Sequence, residues 1–148
     1  MKLLIAIILL SASAMAFSQD SSSEALRRIS TTRVFAFGGI GYAGTISEGE
    51  KDFMIIMSLP TAEAIVAFDR LYTTGNPQAK NYALAGIRLL DKTRFHDLLM
   101  SARTSDLKVQ TESGCIIEEK PLREVAEDLN SGKYDPWFDH KGLRPRGN

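Results

Sequence analysis

The residues Gly39, Gly41 and Gly44 follow the spacing Gly-x-Gly-x-x-Gly, which is typical of loops that bind the pyrophosphate of a dinucleotide. Such a loop needs a strand before it, a helix that begins within it, and an acidic residue about 20 positions later for the ribose. The apolar run at residues 33–37 would supply the strand, and Asp69 would supply the carboxylate. The glycines therefore raise the possibility of a nucleotide site.

The segment after the glycines argues against that site. Its best helix start is the capping box Ser47-Glu48-Gly49-Glu50, in which Ser47 accepts from the Glu50 amide and the Glu50 carboxylate reaches back to the Ser47 amide. A helix that begins there leaves the glycine amides away from its positive end. Asp69 lies within a helical apolar stripe. We therefore predict that the glycines turn the chain into the first core helix, that no cofactor binds, and that the loop with Tyr42 contacts a partner.

Cys115 is the only cysteine and cannot form an internal disulfide. A small buried side chain is the first interpretation of this residue, and an intermolecular disulfide or a reactive thiol are the alternatives. No cationic cluster flanks it to activate the thiol. A thiol-dependent or hydrolytic enzyme would use Cys115 as nucleophile and His96 as base. No second histidine or cysteine stands at metal-ligand spacing from His96, so we predict no metal site.

The N-terminal segment has the pattern of a signal peptide over residues 1–16. Lys2 precedes the apolar run at residues 3–10, and Ala14 and Ala16 suit signal peptidase; cleavage after Ser18 is the alternative. The run is shorter than the about 20 residues that span a bilayer. We expect an exported protein, periplasmic or secreted, with no transmembrane segment after cleavage.

The charge balance and the length of the chain limit its possible functions and its number of domains. The 148 residues carry 18 basic and 18 acidic side chains, whereas a nucleic-acid-binding surface requires a basic excess. One domain is expected at this length. We predict a flexible polar leader over residues 17–32, a single globular helical domain over residues 33–134, and a mobile tail over residues 135–148.

Capping residues and periodicity predict a mainly α fold. Asn76 precedes Pro77 as an N-cap precedes proline at the first helical position, and Asp91 or Thr93 caps the next helix. Alternation then predicts a small β-hairpin near residues 107–118. Short turns between amphipathic helices indicate a compact antiparallel helical array.

Two resemblances follow from these segments. The stretch from Leu59 to Ala102, with its Gly-Asn-Pro turn and the run YALAGIRLLD, resembles a HEAT-like helical hairpin. The runs YAGTISEGE, YALAGIRLLD and SGCI together resemble a small group of exported bacterial proteins without established function. This resemblance implies a single exported domain and carries over no catalytic residue.

These expectations lead to one functional hypothesis and one alternative. The hypothesis is a non-enzymatic interaction module that binds another envelope or extracellular protein through the loop with Gly39, Gly41, Tyr42 and Gly44 and through the Cys115 hairpin. The alternative is the enzyme that uses Cys115 with His96. A thiol reagent would distinguish them, because a buried cysteine reacts only after denaturation.

Overall fold

Seven helices and two short β-hairpins form residues 21–143, the part of the chain that the computed structural model describes. The elements in chain order are α1 (residues 21–29), β1 (Gly39–Ile40), β2 (Thr45–Ile46), α2 (Glu48–Met57), α3 (Thr61–Thr74), α4 (Pro77–Leu90), α5 (Lys92–Arg103), β3 (Lys108–Ser113), β4 (Ile116–Pro121), α6 (Leu122–Asn130) and α7 (Asp135–His140). The predicted mainly α fold with a small hairpin is confirmed. The signal peptide predicted at residues 1–16 lies outside the described range. None of the helices within that range is long and apolar enough to cross a bilayer.

Three of the helices begin at the capping residues that the sequence predicts. The Ser47 hydroxyl accepts a hydrogen bond from the Glu50 amide at 3.0 Å. Asn76 accepts from the Ala79 amide at 2.9 Å, with proline at the start of α4. Asp91 accepts from the Arg94 amide at 2.9 Å and so caps α5. Each cap satisfies an amide that has no partner within its own helix.

The core is centred on the pair formed by α3 and α4, which approach each other closely. Gly86 makes this approach possible, because a Cβ atom there would lie 2.3 Å from the Phe68 ring. Ala79 and Ala83 lie on the same helix and are also fully buried. Close packing therefore compensates for the helix-weakening effect of Gly86, which costs about 1 kcal/mol relative to alanine.

The hairpin of β3 and β4 turns through Gly114 and Cys115, with Ser113 paired to Ile116. Gly114 has a φ of 56° and is the first central residue of the turn, which matches the type II′ geometry favoured in two-residue hairpins. The segment at residues 35–41 runs parallel to β3 along its other edge. The hairpin is thereby held to the body of the domain.

The segment predicted as a flexible leader contains α1, so that prediction is wrong from residue 21 onward. Ala25 and Ile29 lie four residues apart on one helical face, and both are fully buried. Arg28 forms an ion pair with the buried carboxylate of Asp52, with 2.5 Å between the guanidinium Nη2 and Oδ1. Apolar burial and this ion pair fix the helix on α2.

The segment predicted as a mobile tail begins with α7, which packs on the core. Phe138 is fully buried. The ring of Phe37 lies 4.4 Å from that of Trp137, 5.3 Å from that of Phe138 and 5.7 Å from that of Tyr134, measured between centroids. Full burial of Phe138 and partial burial of Tyr134 and Trp137 order this segment, since aromatic side chains remove a large apolar area from water. The tail prediction is therefore wrong for residues 135–140.

Candidate functional site

The glycine motif forms a tight β-hairpin. Strands β1 and β2 pair antiparallel, with Gly39 opposite Ile46. Gly41 and Gly44 have φ values of 66° and 62°, and a Cβ atom on Gly39 would lie 3.0 Å from the Gly44 carbonyl oxygen. Side chains are disfavoured at all three positions, either by the left-handed backbone or by this close approach. The motif glycines thus serve the turn, and α2 begins only at Glu48, as the turn interpretation predicts.

The ends of the two hairpins are joined by a backbone hydrogen bond. The Gly41 amide donates to the Gly114 carbonyl oxygen at 2.7 Å. Tyr42 follows the first residue of this bond, and Cys115 follows the second. The structure therefore brings together the two regions that the sequence singles out for partner binding. We call the exposed side chains at this junction the hairpin-end surface: Tyr42, Ile46, Cys115, Ile116 and Ile117.

The hairpin-end surface is apolar and open to solvent. Tyr42 has the full exposure of an isolated residue, at 102 %, while Ile116 and Ile117 are 64 % and 61 % exposed. Cys115 is an exposed free thiol, so its interpretation as a buried side chain is wrong. The physical reason is its place in a two-residue turn at the far end of a hairpin, where no other element covers it.

The sequence contains an indication that the isoleucines after Cys115 are exposed. Adjacent strand residues point to opposite faces of a sheet. In a hairpin that packs only one face on the core, consecutive apolar residues such as Ile116 and Ile117 must leave at least one side chain outside. Both are outside here, because the hairpin extends beyond the core at this end.

Acidic groups border the hairpin-end surface along β4. Glu118 and Glu119 are exposed. Lys120 Nζ lies 3.2 Å from Glu118 Oε2 and 3.6 Å from Glu124 Oε1. The hydrogen bond with Glu118 raises the pKa of Lys120, so this lysine remains cationic. Glu119 has no ion pair within residues 21–143 and contributes an uncompensated negative charge.

The structure does not connect Cys115 with His96. His96 is exposed on α5, which packs against α4 and α6, whereas Cys115 lies at the end of the β3–β4 hairpin. No hydrogen bond joins the two side chains in the described part of the chain. The same residues contain no group of three or more histidine, cysteine and carboxylate side chains arranged to hold a metal ion.

A buried polar centre lies beneath α7, at the point where residues 36–38 lead into the glycine hairpin. The Tyr82 hydroxyl donates to the Ala36 carbonyl oxygen at 2.8 Å, accepts from the Ala36 amide at 3.0 Å, and lies 3.3 Å from the Ser47 hydroxyl oxygen. Burial raises the pKa of Tyr82 to about 12, which keeps the hydroxyl protonated as a donor.

The Glu50 carboxylate belongs to the same buried centre. Instead of completing the capping box at Ser47, its Oε2 accepts from the Gly38 amide at 2.7 Å. Lys141 Nζ lies 3.8 Å from Oε1. Burial raises the pKa of Glu50, while the Gly38 amide and the Lys141 charge act in the opposite direction. The carboxylate holds the entrance to the glycine hairpin and the end of α7 against α2.

Concave regions also lie elsewhere on the surface of residues 21–143. A pocket of about 320 Å³ beside α1 contains the Arg28 guanidinium, but Asp52 already pairs with it. An apolar groove of about 530 Å³ between α1 and α3 is lined by Leu26, Leu59 and Val66 among others. Neither is lined by a histidine or a cysteine of this part of the chain.

No family model, curated protein or solved structure matches the chain. The resemblance to exported bacterial proteins therefore stays a prediction. Function has to be inferred from the geometry of the site itself.

Proposed function

We propose that the chain is a non-enzymatic protein-binding module whose partner docks on the hairpin-end surface. The observation that carries this proposal is the hydrogen bond from the Gly41 amide to the Gly114 carbonyl oxygen, which joins the turn that carries the exposed Tyr42 to the end of the hairpin that carries the exposed Ile116 and Ile117. Exposed apolar side chains grouped in one region with a polar border are typical of interaction sites. Tyrosine is suited to such a site, because its ring buries a large area while its hydroxyl remains hydrogen-bonded.

These apolar side chains do not pack in the core of the domain. In the β3–β4 hairpin the core contact comes from Val109, which is fully buried near the base. The exposed isoleucines stand at the opposite end and add solvent-exposed apolar area. Burial against a partner would remove that area from water, at about 25 cal/mol per Å².

We also propose that the module is exported and that its partner is another envelope or extracellular protein. The pattern of residues 1–16 supports export. The HEAT-like character of the α3–α4 region would agree with an interaction role, since repeat proteins of this kind bind partners through extended surfaces. Fractionation of the native cell with N-terminal sequencing tests the export. Phe17 is the expected first residue, or Gln19 after the alternative cut, and an uncleaved cytosolic chain would contradict it.

Site-specific photocrosslinking tests the binding surface. A photoreactive amino acid is placed at Tyr42 or Ile116 and, as matched controls, at Val66 on α3 or Met100 on α5, which are 68 % and 51 % exposed. We expect a discrete conjugate of one size from the first two positions in the native envelope fraction and none from the controls. Equal labelling at all four positions, or no conjugate at either hairpin position, would contradict the proposal.

The enzyme that uses Cys115 with His96 is the alternative. Its only structural support is the exposure of the thiol. A partner base has to lie within about 3 Å of the nucleophile or reach it through a water molecule. Conversion of a thioester or ester substrate by the wild-type protein, abolished in both Cys115→Ser and His96→Ala, would favour the enzyme over the module.

A further inference from the structure

The outer edge of β4 offers backbone groups beside the hairpin-end surface. On β3, the Gln110 carbonyl oxygen accepts from the Phe35 amide at 2.8 Å, and the Glu112 amide donates to the Phe35 carbonyl oxygen at 3.2 Å. These two residues therefore direct their backbone groups away from β4. Since the direction alternates along a strand, Val109, Thr111 and Ser113 direct theirs toward β4.

The pairing register then assigns the groups of β4. Val109, Thr111 and Ser113 pair with Lys120, Glu118 and Ile116, in that order. The backbone groups of Ile117 and Glu119 consequently point outward. Within residues 21–143, β4 has β3 as its single strand neighbour. Pro121 lacks an N–H group, so it ends the row of outward donors after Glu119.

The side chains on this edge carry both apolar and acidic character. Ile117 and Glu119 share one face of the hairpin with Glu112, Gln110 and Lys108. That face carries two carboxylates, from Glu112 and Glu119, and one ammonium group, from Lys108. Glu119 has no ion pair within the described residues. A strand added along β4 would meet an isoleucine and then an uncompensated negative charge.

We propose that β4 binds an extended segment of the partner protein by strand addition, with an apolar residue opposite Ile117 and a basic residue opposite Glu119. This inference rests on the proposed function, because the added strand lies against the hairpin-end surface. Main-chain hydrogen bonds supply affinity in this mode, and the side chains opposite the edge supply specificity. Opposite charges in a directly opposed pair are stabilising.

A second copy of this chain fits the edge less well. Antiparallel pairing of two β4 strands places Ile117 opposite Glu119, or two Glu119 carboxylates opposite each other, and like charges in that position are destabilising. Pairing Ile117 with itself places Glu119 opposite Cys115, where the turn ends the strand. A different protein segment of apolar and basic residues avoids all three conflicts.

The test uses the isotope-labelled mature protein and a blocked peptide in which every second residue is threonine and the positions between them are alternately valine and lysine. A valine and a lysine two residues apart then share one face and can lie opposite Ile117 and Glu119. We expect the amide resonances of Ile117 and Glu119 to shift and their hydrogen exchange to slow. The same peptide with glutamate in place of lysine is the control and should not bind. Unchanged Ile117 and Glu119 amides, or equal binding of the two peptides, would overturn strand addition.

Two variants separate the backbone contribution from the charge. Glu119→Pro removes an outward N–H group and should weaken binding of the lysine peptide by about tenfold or more. Pro121, two residues along the same edge, shows that the strand accepts proline in this orientation. Glu119→Lys keeps the N–H group and should reverse the preference, so that the glutamate peptide binds more tightly. Binding unaffected by Glu119→Lys would overturn the charge pairing, even if Glu119→Pro failed to fold.

Photocrosslinking distinguishes this inference from the proposed function. A conjugate at Tyr42 and Ile116 that persists unchanged in Glu119→Pro would mean that the partner docks without adding a strand. Only the inference would then fail. Loss of the conjugate in that variant, with the fold retained by circular dichroism, supports strand addition.

Discussion

The two ends of one short segment, residues 36–50, belong to the buried polar centre, whereas Tyr42 of the hairpin-end surface lies in the middle of that segment. The two regions have opposite chemistry. Inside, the hydroxyl of the fully buried Tyr82 makes hydrogen bonds to both backbone groups of Ala36. Outside, Tyr42 is completely exposed, and its apolar ring has no cover. The buried hydroxyl is hydrogen-bonded and so stabilises the fold. The exposed ring packs against nothing in the described part of the domain.

This contrast separates residues that hold the structure from residues that are available for a partner. A buried polar group must keep its hydrogen bonds, because leaving one unmade costs free energy. An exposed apolar side chain has no such role in the isolated domain. Substitutions inside should therefore change stability, whereas substitutions outside should change binding alone.

The same substitution at the two tyrosines gives the largest expected difference. Tyr82→Ala removes a ring that packs against Phe35 and Phe37, so the free energy of unfolding should fall by about 3–5 kcal/mol, as for other buried aromatics. Tyr42→Ala should change it by less than about 0.5 kcal/mol. Urea unfolding followed by circular dichroism measures both values. Similar losses in the two variants would remove the distinction between the regions.

Removal of the hydroxyl alone tests the polar part of the centre. Tyr82→Phe leaves the Ala36 amide and carbonyl without their partner, so we expect a loss of about 1–3 kcal/mol in the free energy of unfolding. Tyr42→Phe is the matched control and should be neutral. A neutral Tyr82→Phe would show that the ring, rather than the hydrogen bonds, stabilises this centre.

Glu50 gives the centre a pH dependence with a defined sign. Burial raises its pKa in the folded state above the ordinary value of 4.5, so the fold favours the protonated carboxyl group. The stabilisation from protonation is fully present below the unfolded pKa and is lost as pH rises through the folded pKa. The stability of Glu50→Gln relative to the wild type should therefore increase across this window. Urea unfolding at a series of pH values measures the difference, and a constant or decreasing difference would contradict the assignment.

Cys115 should show the smallest effect on stability. Because the thiol is exposed, Cys115→Ser should change the free energy of unfolding by less than about 0.5 kcal/mol. A chromogenic thiol reagent should react with the folded wild-type protein without denaturant. If the thiol reacted only after denaturant was added, the end of the β3–β4 hairpin would be covered in solution.

Local signals made part of the fold predictable. Helix caps act over three or four residues, so Ser47, Asn76 and Asp91 could be recognised directly. The Glu50 carboxylate could not be placed in the same way. Its choice of the Gly38 amide over the Ser47 amide depends on how residues 35–41 fold back over α2. The order of α1 and α7 was not predicted for a related reason, because these helices are fixed by burial against distant residues.

The candidate site was predictable in its parts and not in its arrangement. The turn role of Gly41 and Gly44 and the hairpin around Cys115 follow from neighbouring residues. Their junction depends on the parallel course of residues 35–41 along β3, and hydrophobic periodicity contains no information about that pairing. The paired isoleucines after Cys115 were the one local indication of exposed apolar surface.

The aromatic contacts beneath α7 also determine when the domain can finish folding. Phe37 lies near the start of the described chain, and Trp137 lies near its end, yet their rings pack together. Closing so long a loop is entropically unfavourable until its final contacts form, and such nonlocal contacts slow folding. The C-terminal segment must therefore be synthesised before the core can close. For the export that we propose, the aromatic contacts beneath α7 would form only after residues 135–140 have crossed the membrane.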